Sequence, residues 1–236
     1  MKIVFFGDSV TEGCFELSFR DTAGVTDIIR DQKSVYHNVL KERIEKERSD
    51  LVIEFINAGI SGDSAANGLQ RIGRDVIDQK PDAVVVCFGL NDVAGRTIDE
   101  YVLDMERIFS ELKEREIDVI YMTPNMYNTY VHGDVLPNHA DLAETLAKVQ
   151  NEKRPDMYYA EAMKRAKKYG CVVVDAYGAW KKLSEYGVDV TELLCNRLNH
   201  PTRAMHRLFA DMLYDEVIKV AEQRKSNLNQ DVVGKA

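Results

Sequence analysis

Lys2-Ile3-Val4-Phe5-Phe6-Gly7-Asp8-Ser9-Val10-Thr11-Glu12-Gly13 is the stretch whose reading decides the fold. Its β-branched and aromatic run, Ile3 to Phe6, has the length of a strand buried on both faces. It is too short for a signal-peptide core of about 7–15 apolar residues. Gly7 and Gly13 let the backbone turn sharply as it leaves the strand, so Ser9 is expected at the strand's carboxyl end. Four further runs of the same kind follow, at Leu51–Asn57, Asp82–Phe88, Asp118–Thr123 and Cys171–Asp175. Between and after them the apolar spacing is helical over Ser34–Arg48, Ser64–Ile77, Thr97–Arg115, Pro155–Tyr169 and Thr202–Glu222. Ser64 and Thr97 suit N-caps, Pro201 a helix entry and Gly170 a left-handed C-terminal position. Alternating strands and helices predict the α/β class: a three-layer α/β/α sandwich around a five-stranded parallel sheet.

The chain of 236 residues is expected to form one domain over 1–236, with no linker or repeat to divide it. Residues 125–154 are too long for a normal βα connection of about 2–6 residues. Following a strand's carboxyl end, they are read either as a substrate lid or as a surface loop with a short helix. A net charge of -8 excludes a nucleic-acid or anionic-membrane partner, either of which calls for a basic face. No run approaches the roughly 20 apolar residues of a membrane-spanning helix. Cys14, Cys87, Cys171 and Cys195 lack the paired spacing of a zinc site or redox dithiol, so no metal or organic cofactor is expected. A reducing cytoplasm fits them best. The oligomeric state has no signature in the sequence.

Four segments carry chemistry. Gly7 to Gly13 presents Ser9, and reads either as a nucleophile turn or as a purely structural one. A phosphate-binding loop is disfavoured, because no GxxxxGK[ST] lysine follows. Asn57-Ala58-Gly59-Ile60-Ser61-Gly62-Asp63 follows the second strand, and Gly89-Leu90-Asn91-Asp92 follows the third. A glycine there brings a bare N–H near a ligand, and an asparagine offers a neutral donor to a forming oxyanion. Both also suit plain turns. Asn196-Arg197-Leu198-Asn199-His200-Pro201 places an imidazole before the last helix, where it is suited to take a proton near neutral pH. Asp8, Asp63 and Asp92 read as loop braces through backbone N–H groups, His206 as structural and Trp180 as packing.

Taken in order, GDSVT with Ser9, NAGISGD with Gly62, GLND with Asn91 and NHPTRAMH with His200 resemble the four blocks of the SGNH/GDSL hydrolase family, from residue 7 to residue 206. The resemblance implies a flavodoxin-like strand order and a serine hydrolase that cleaves carboxylic esters through an acyl-serine, with a small-molecule ester as its partner. It implies Ser9 as nucleophile and His200 as general base. Ser9 N–H, Gly62 N–H and the Asn91 side chain would form the oxyanion hole. One position departs: where the family places an aspartate three residues before the histidine, this chain has Arg197. An arginine accepts no hydrogen bond from imidazole and its charge disfavours imidazolium. The ring's partner is then expected to be Asn196 or a backbone carbonyl, or else a carboxylate such as Asp189 swung in from elsewhere. Tyr127, Asn128, Tyr130, His132 and Asn138 in the insertion suggest an acetyl esterase acting on a carbohydrate or similar polar substrate. The alternatives are a lysophospholipase or thioesterase, and a catalytically degenerate binding protein of the same fold.

Overall fold

A computed structural model describes residues 1–19 and 26–233. Five strands, β1 (Lys2–Gly7), β4 (Glu54–Gly59), β5 (Ala83–Cys87), β6 (Asp118–Met122) and β7 (Val172–Val174), make one parallel sheet in the order β4-β1-β5-β6-β7. Counting only these strands along the chain, that is the 2-1-3-4-5 flavodoxin-like order. A second sheet was not expected: β2 (Cys14–Phe19) and β3 (Thr26–Arg30) pair antiparallel in the stretch between a short helix after β1, Ser9–Glu12, and the helix Tyr36–Glu47.

The three central strands are buried as their composition demands, with Phe5, Phe6, Val84, Val85, Val86, Ile120 and Tyr121 inaccessible to solvent. The two outer strands depart from the expectation. β4 starts at Glu54 rather than Leu51 and β7 shrinks to three residues, and both hold partly exposed positions because each has a neighbour on one edge only.

Helices cover both faces. On one, α2 (Tyr36–Glu47) packs against α9 (Arg203–Val233), which buries Met205, Phe209, Leu213, Val217 and Ala221 at every fourth position. On the other, α3 (Ala65–Asp75), α5 (Ile98–Lys113) and α7 (Arg154–Lys168) pack in sequence. Ser64 accepts from Asn67 N–H and Thr97 closes a capping box with Glu100. Gly170 takes φ 66° just after α7. The remaining α-helices of the described residues are α1 (Ser9–Glu12), α4 (Leu90–Gly95), α6 (Ala140–Asn151) and α8 (Ala176–Glu185).

After β1 the chain moves to one side of it for β4, then crosses to the other side for β5. The carboxyl end of β1 is therefore the switch point of the sheet, flanked by the loops leaving β4 and β5. Ser9 follows β1, Gly62 follows β4 and Asn91 lies in the helix after β5. Topology alone brings the three together.

Candidate active site

Ser9 opens α1. Asp8 caps that helix by accepting from Val10 N–H at 3.0 Å, and Gly13 ends it at φ 94° with its N–H on Ser9 O at 3.1 Å. The Ser9 N–H thus belongs to a helix start, where the helix itself offers it no acceptor. The helix lies hard against β4: a Cβ on Gly59 would stand 2.2 Å from Glu12 N, so only glycine fits there.

His200 Nε2 lies 3.1 Å from Ser9 Oγ, and Nδ1 lies 2.8 Å from the carbonyl oxygen of Phe15 in β2. A carbonyl only accepts, so Nδ1 carries the proton and Nε2 turns its lone pair to the serine hydroxyl. Burial lowers the proton affinity of His200, and the Phe15 carbonyl opposes that shift. The ring is held neutral, in the tautomer a general base needs.

The expectation for Asn196 is corrected. Its Oδ1 accepts the N–H groups of Leu198, Asn199 and His200 at 3.0, 3.0 and 2.9 Å, and its Nδ2 donates to Asn199 Oδ1. It shapes the loop and does not touch the imidazole, because a short side chain four residues upstream meets the loop's N–H groups first. Asp189 is also occupied elsewhere, accepting from the Tyr130 hydroxyl at 2.8 Å and from Thr191 N–H. Arg197 takes φ 59°, which turns its side chain outward to Glu192 at 2.5 Å and Asp134 at 3.5 Å. Its charge is matched there, away from His200.

Gly62 adopts φ 81° in the turn after β4, with open space where a Cβ would stand. The neighbouring Ser61 N–H donates to Glu12 Oε2 at 2.6 Å. Asn91 Nδ2 donates to Asp63 O at 2.8 Å, tying α4 to the Gly62 turn while the amide keeps a second N–H. Asp92 accepts Ala65 N–H with both oxygens at 3.1 Å and pairs with Arg96 at 3.0 Å. Asp63 departs from its expected backbone role and holds Arg71 Nε at 2.6 Å, while Arg71 in turn donates to Gly7 O and Ala58 O. Burial pushes Asp8 up to about 7 and Asp92 up to about 6, and the nearby acids add to the rise.

His206 accepts Tyr36 N–H on Nδ1 at 3.1 Å within an aromatic cluster with Phe15 and Phe209. Trp180 is wholly buried. The start of the insertion is also core. Tyr127 and Asn128, expected to face a ligand, are inaccessible: Tyr127 OH donates to Leu90 O, and Asn128 Nδ2 donates to Tyr130 O and Ala143 O. Asn125 Nδ2 donates to Asn199 O at 2.8 Å and Asn128 N–H to Leu198 O at 2.9 Å, so this segment is a shelf for the His200 loop. Among the described residues no group of three or more His, Cys, Asp or Glu side chains is placed to hold a metal ion.

A backbone carbonyl was among the expected partners of the ring and is the one found, but which residue supplies it, and what anchors that residue's strand, escaped the sequence. The Phe15 carbonyl has no side-chain signature at all. Arg203, which grips Glu16 and Asp31 and so ties the hairpin to the start of α9, was legible only as one more surface charge.

A stretch of 151 residues, 56% of this chain, is 29% identical to an acetylxylan esterase of Geobacillus stearothermophilus and spans 62% of that relative. Over 92 residues, 39% of the chain, it is 35% identical to the uncharacterized lipoprotein YqeF of Bacillus subtilis, spanning 32% of that protein. Among solved structures, Axe2, an acetylxylan esterase of Geobacillus stearothermophilus, superposes with a TM-score of 0.68 at 23% identity, covering 92% of this chain and 93% of that one. The fold is thus shared with Axe2. The sequence pattern of the GDSL-like lipase and acylhydrolase family matches residues 5–208, which includes all four blocks around Ser9, and the chain belongs to that family.

Proposed function

We propose that the protein is a serine esterase that removes acetyl groups from a hydroxyl-rich substrate such as a carbohydrate. The observation that carries the reading is His200, set between the Ser9 hydroxyl at 3.1 Å and a carbonyl acceptor at 2.8 Å. His200 Nε2 takes the Ser9 proton as Oγ bonds to the ester carbonyl carbon. The oxyanion faces Ser9 N–H, Gly62 N–H and Asn91 Nδ2. As the carbon–oxygen bond to the alcohol breaks, His200 returns the proton to the departing oxygen. Water then enters by the same route and frees the acid and Ser9.

The outward pairing of Arg197 supports catalysis over a degenerate binding role, since its charge does not oppose imidazolium. The acetyl and carbohydrate preference draws on the acetylxylan esterase relatives. No helix of the described residues is long and apolar enough to cross a membrane. The four cysteines are free thiols, which suits a reducing compartment.

Hydrolysis of p-nitrophenyl acetate, longer acyl esters and acetylated xylan, with Ser9→Ala and His200→Ala beside the native protein, tests the reading. Turnover is expected to be greatest on acetyl esters and to fall by about 10³-fold or more in both variants. Preference for long acyl chains would sink the acetyl reading. A native Ser9 inert to a fluorophosphonate would sink the esterase itself.

A further inference from the structure

Glu12 is the last residue of α1, one helical turn beyond Ser9, and its carboxylate is about one-quarter exposed. Oε2 accepts the Ser61 N–H at 2.6 Å, and Oε1 accepts Arg30 Nε from β3 at 2.6 Å. The Glu12 carbonyl accepts Gln32 Nε2 at 2.7 Å and Asn57 Nδ2 at 3.3 Å. One residue therefore joins the nucleophile's helix, the Gly62 turn and the hairpin whose other strand supplies the Phe15 carbonyl. We infer that Glu12 is a positioning residue of the ester-cleaving site, fixing the Ser61–Gly62 turn and supplying His200 with the negative field that an aspartate at position 197 would otherwise provide. This rests on the esterase reading above.

Two physical arguments carry it. Ser61 and Gly62 are consecutive, so an acceptor fixed on Ser61 N–H, with Gly62 at φ 81°, sets the direction of the next N–H, the one aimed at the oxyanion. Holding such a donor in place before the reaction is what makes it effective. The second argument is charge. Burial lowers the proton affinity of His200 and the Phe15 carbonyl opposes that. Among charged groups Glu12, one turn along α1 from Ser9, and Glu16, next to Phe15 in β2, favour the protonated form, while Arg30, paired with Glu12 and opposite Cys14 in the hairpin, opposes it. On α9, His206 is buried and pushed down to about 3, so it stays neutral, and Arg203, stacked over the Phe15 ring, has its charge matched by Glu16 and Asp31. Glu12 thus stabilises the imidazolium that forms as Ser9 attacks, without touching the ring.

The test is the kcat, KM and pH profile of p-nitrophenyl acetate hydrolysis for native protein, Glu12→Gln and Arg30→Gln, with thermal unfolding of each recorded alongside. For Glu12→Gln, kcat is expected to fall about 10- to 100-fold, while KM stays within about threefold. The acid limb of kcat/KM, which reports protonation of His200, should move down by about half a pH unit in Glu12→Gln and up by a similar amount in Arg30→Gln. A purely structural brace would lower the melting temperature of both variants and leave the acid limb where it is, and that result overturns the inference. If Glu12→Gln does not fold, an unmoved limb in Arg30→Gln overturns it by itself. Native protein without Ser9-dependent turnover fails the esterase reading and this inference with it. Native turnover that Glu12→Gln leaves unchanged fails this inference alone.

Discussion

Asn196 satisfies three consecutive backbone N–H groups with one oxygen, and the loop it gathers presents His200. Removing that acceptor leaves buried donors unpaired, at about 1–3 kcal/mol for such a group. Asn196→Ala is therefore expected to lower stability by about that amount and to cut kcat as the imidazole loses its place, read by denaturant unfolding and steady-state kinetics. Asn196→Asp keeps the oxygen and should retain most of the activity. Arg197→Asp, which restores the family's residue, should not raise kcat. With φ at 59° the side chain points outward, and an aspartate there would face Glu192 and Asp134. A clear gain in kcat would show that the loop rearranges to bring the new carboxylate to the ring. Truncating Asn91 to alanine should cost about 10²- to 10³-fold in kcat, if its free N–H serves the oxyanion. At this scale the sequence singled out Ser9 and His200, whose side chains meet at 3.1 Å. Of the partners it offered the ring, the backbone carbonyl is the one found, while Asn196, one residue from the position of the family's aspartate, has its oxygen claimed by the loop's own N–H groups.

The β2–β3 hairpin is the element the sequence concealed. Cys14-Phe15-Glu16-Leu17-Ser18-Phe19 alternates too weakly to announce a strand, and its use lies in a main-chain oxygen that any residue at position 15 would supply. What the side chains do specify is how the hairpin is held, since Arg203 pairs with Glu16 and with Asp31 at 2.8 Å. Arg203→Ala should loosen the carbonyl's grip on His200 and lower kcat more than it raises KM, in a steady-state comparison with native protein. The same pairing gives the hairpin a pH dependence. The Arg203 guanidinium holds Glu16 and Asp31 below their ordinary carboxylate values. Groups depressed in this way contribute stability above their unfolded values of about 4, and that contribution is lost as pH falls through the folded ones. Below about pH 4 the hairpin should therefore loosen before the whole fold unfolds, read by amide hydrogen exchange against circular dichroism, and Arg203→Ala should abolish that separation. The insertion teaches a related lesson. Its Asn and Tyr content suggested a surface for hydroxyl-rich ligands, yet Asn125 Nδ2, Tyr127 OH and Asn128 Nδ2 donate to main-chain carbonyls inside the protein.

Across the whole molecule, the sheet was legible because five buried runs at regular intervals admit few other arrangements, and its strand order came with the family resemblance. The edge strands were less so, because exposure dilutes the apolar signal there. Stability as a whole should carry the mark of Asp8, buried beside the nucleophile and pushed up to about 7. The folded protein then keeps a proton that the unfolded chain releases near pH 4, so stability falls as pH rises between those values and levels off above them. Asp8→Asn keeps the oxygen that caps Val10 N–H and removes the ionisation. It should raise the melting temperature at pH 8 by about 2–4 °C and change little at pH 4, by calorimetry at the two pH values. The contact between His200 and Ser9 joins residues 191 positions apart, from the first strand to the threshold of the last helix. A pair so distant in sequence closes a long loop at an entropic cost, and is expected to meet after the local helices have formed. Ser9 is for that reason a built-in clock for folding. During refolding, fluorophosphonate labelling should lag behind the recovery of helical dichroism, and each labelled molecule should be one in which both ends of the fold have come together.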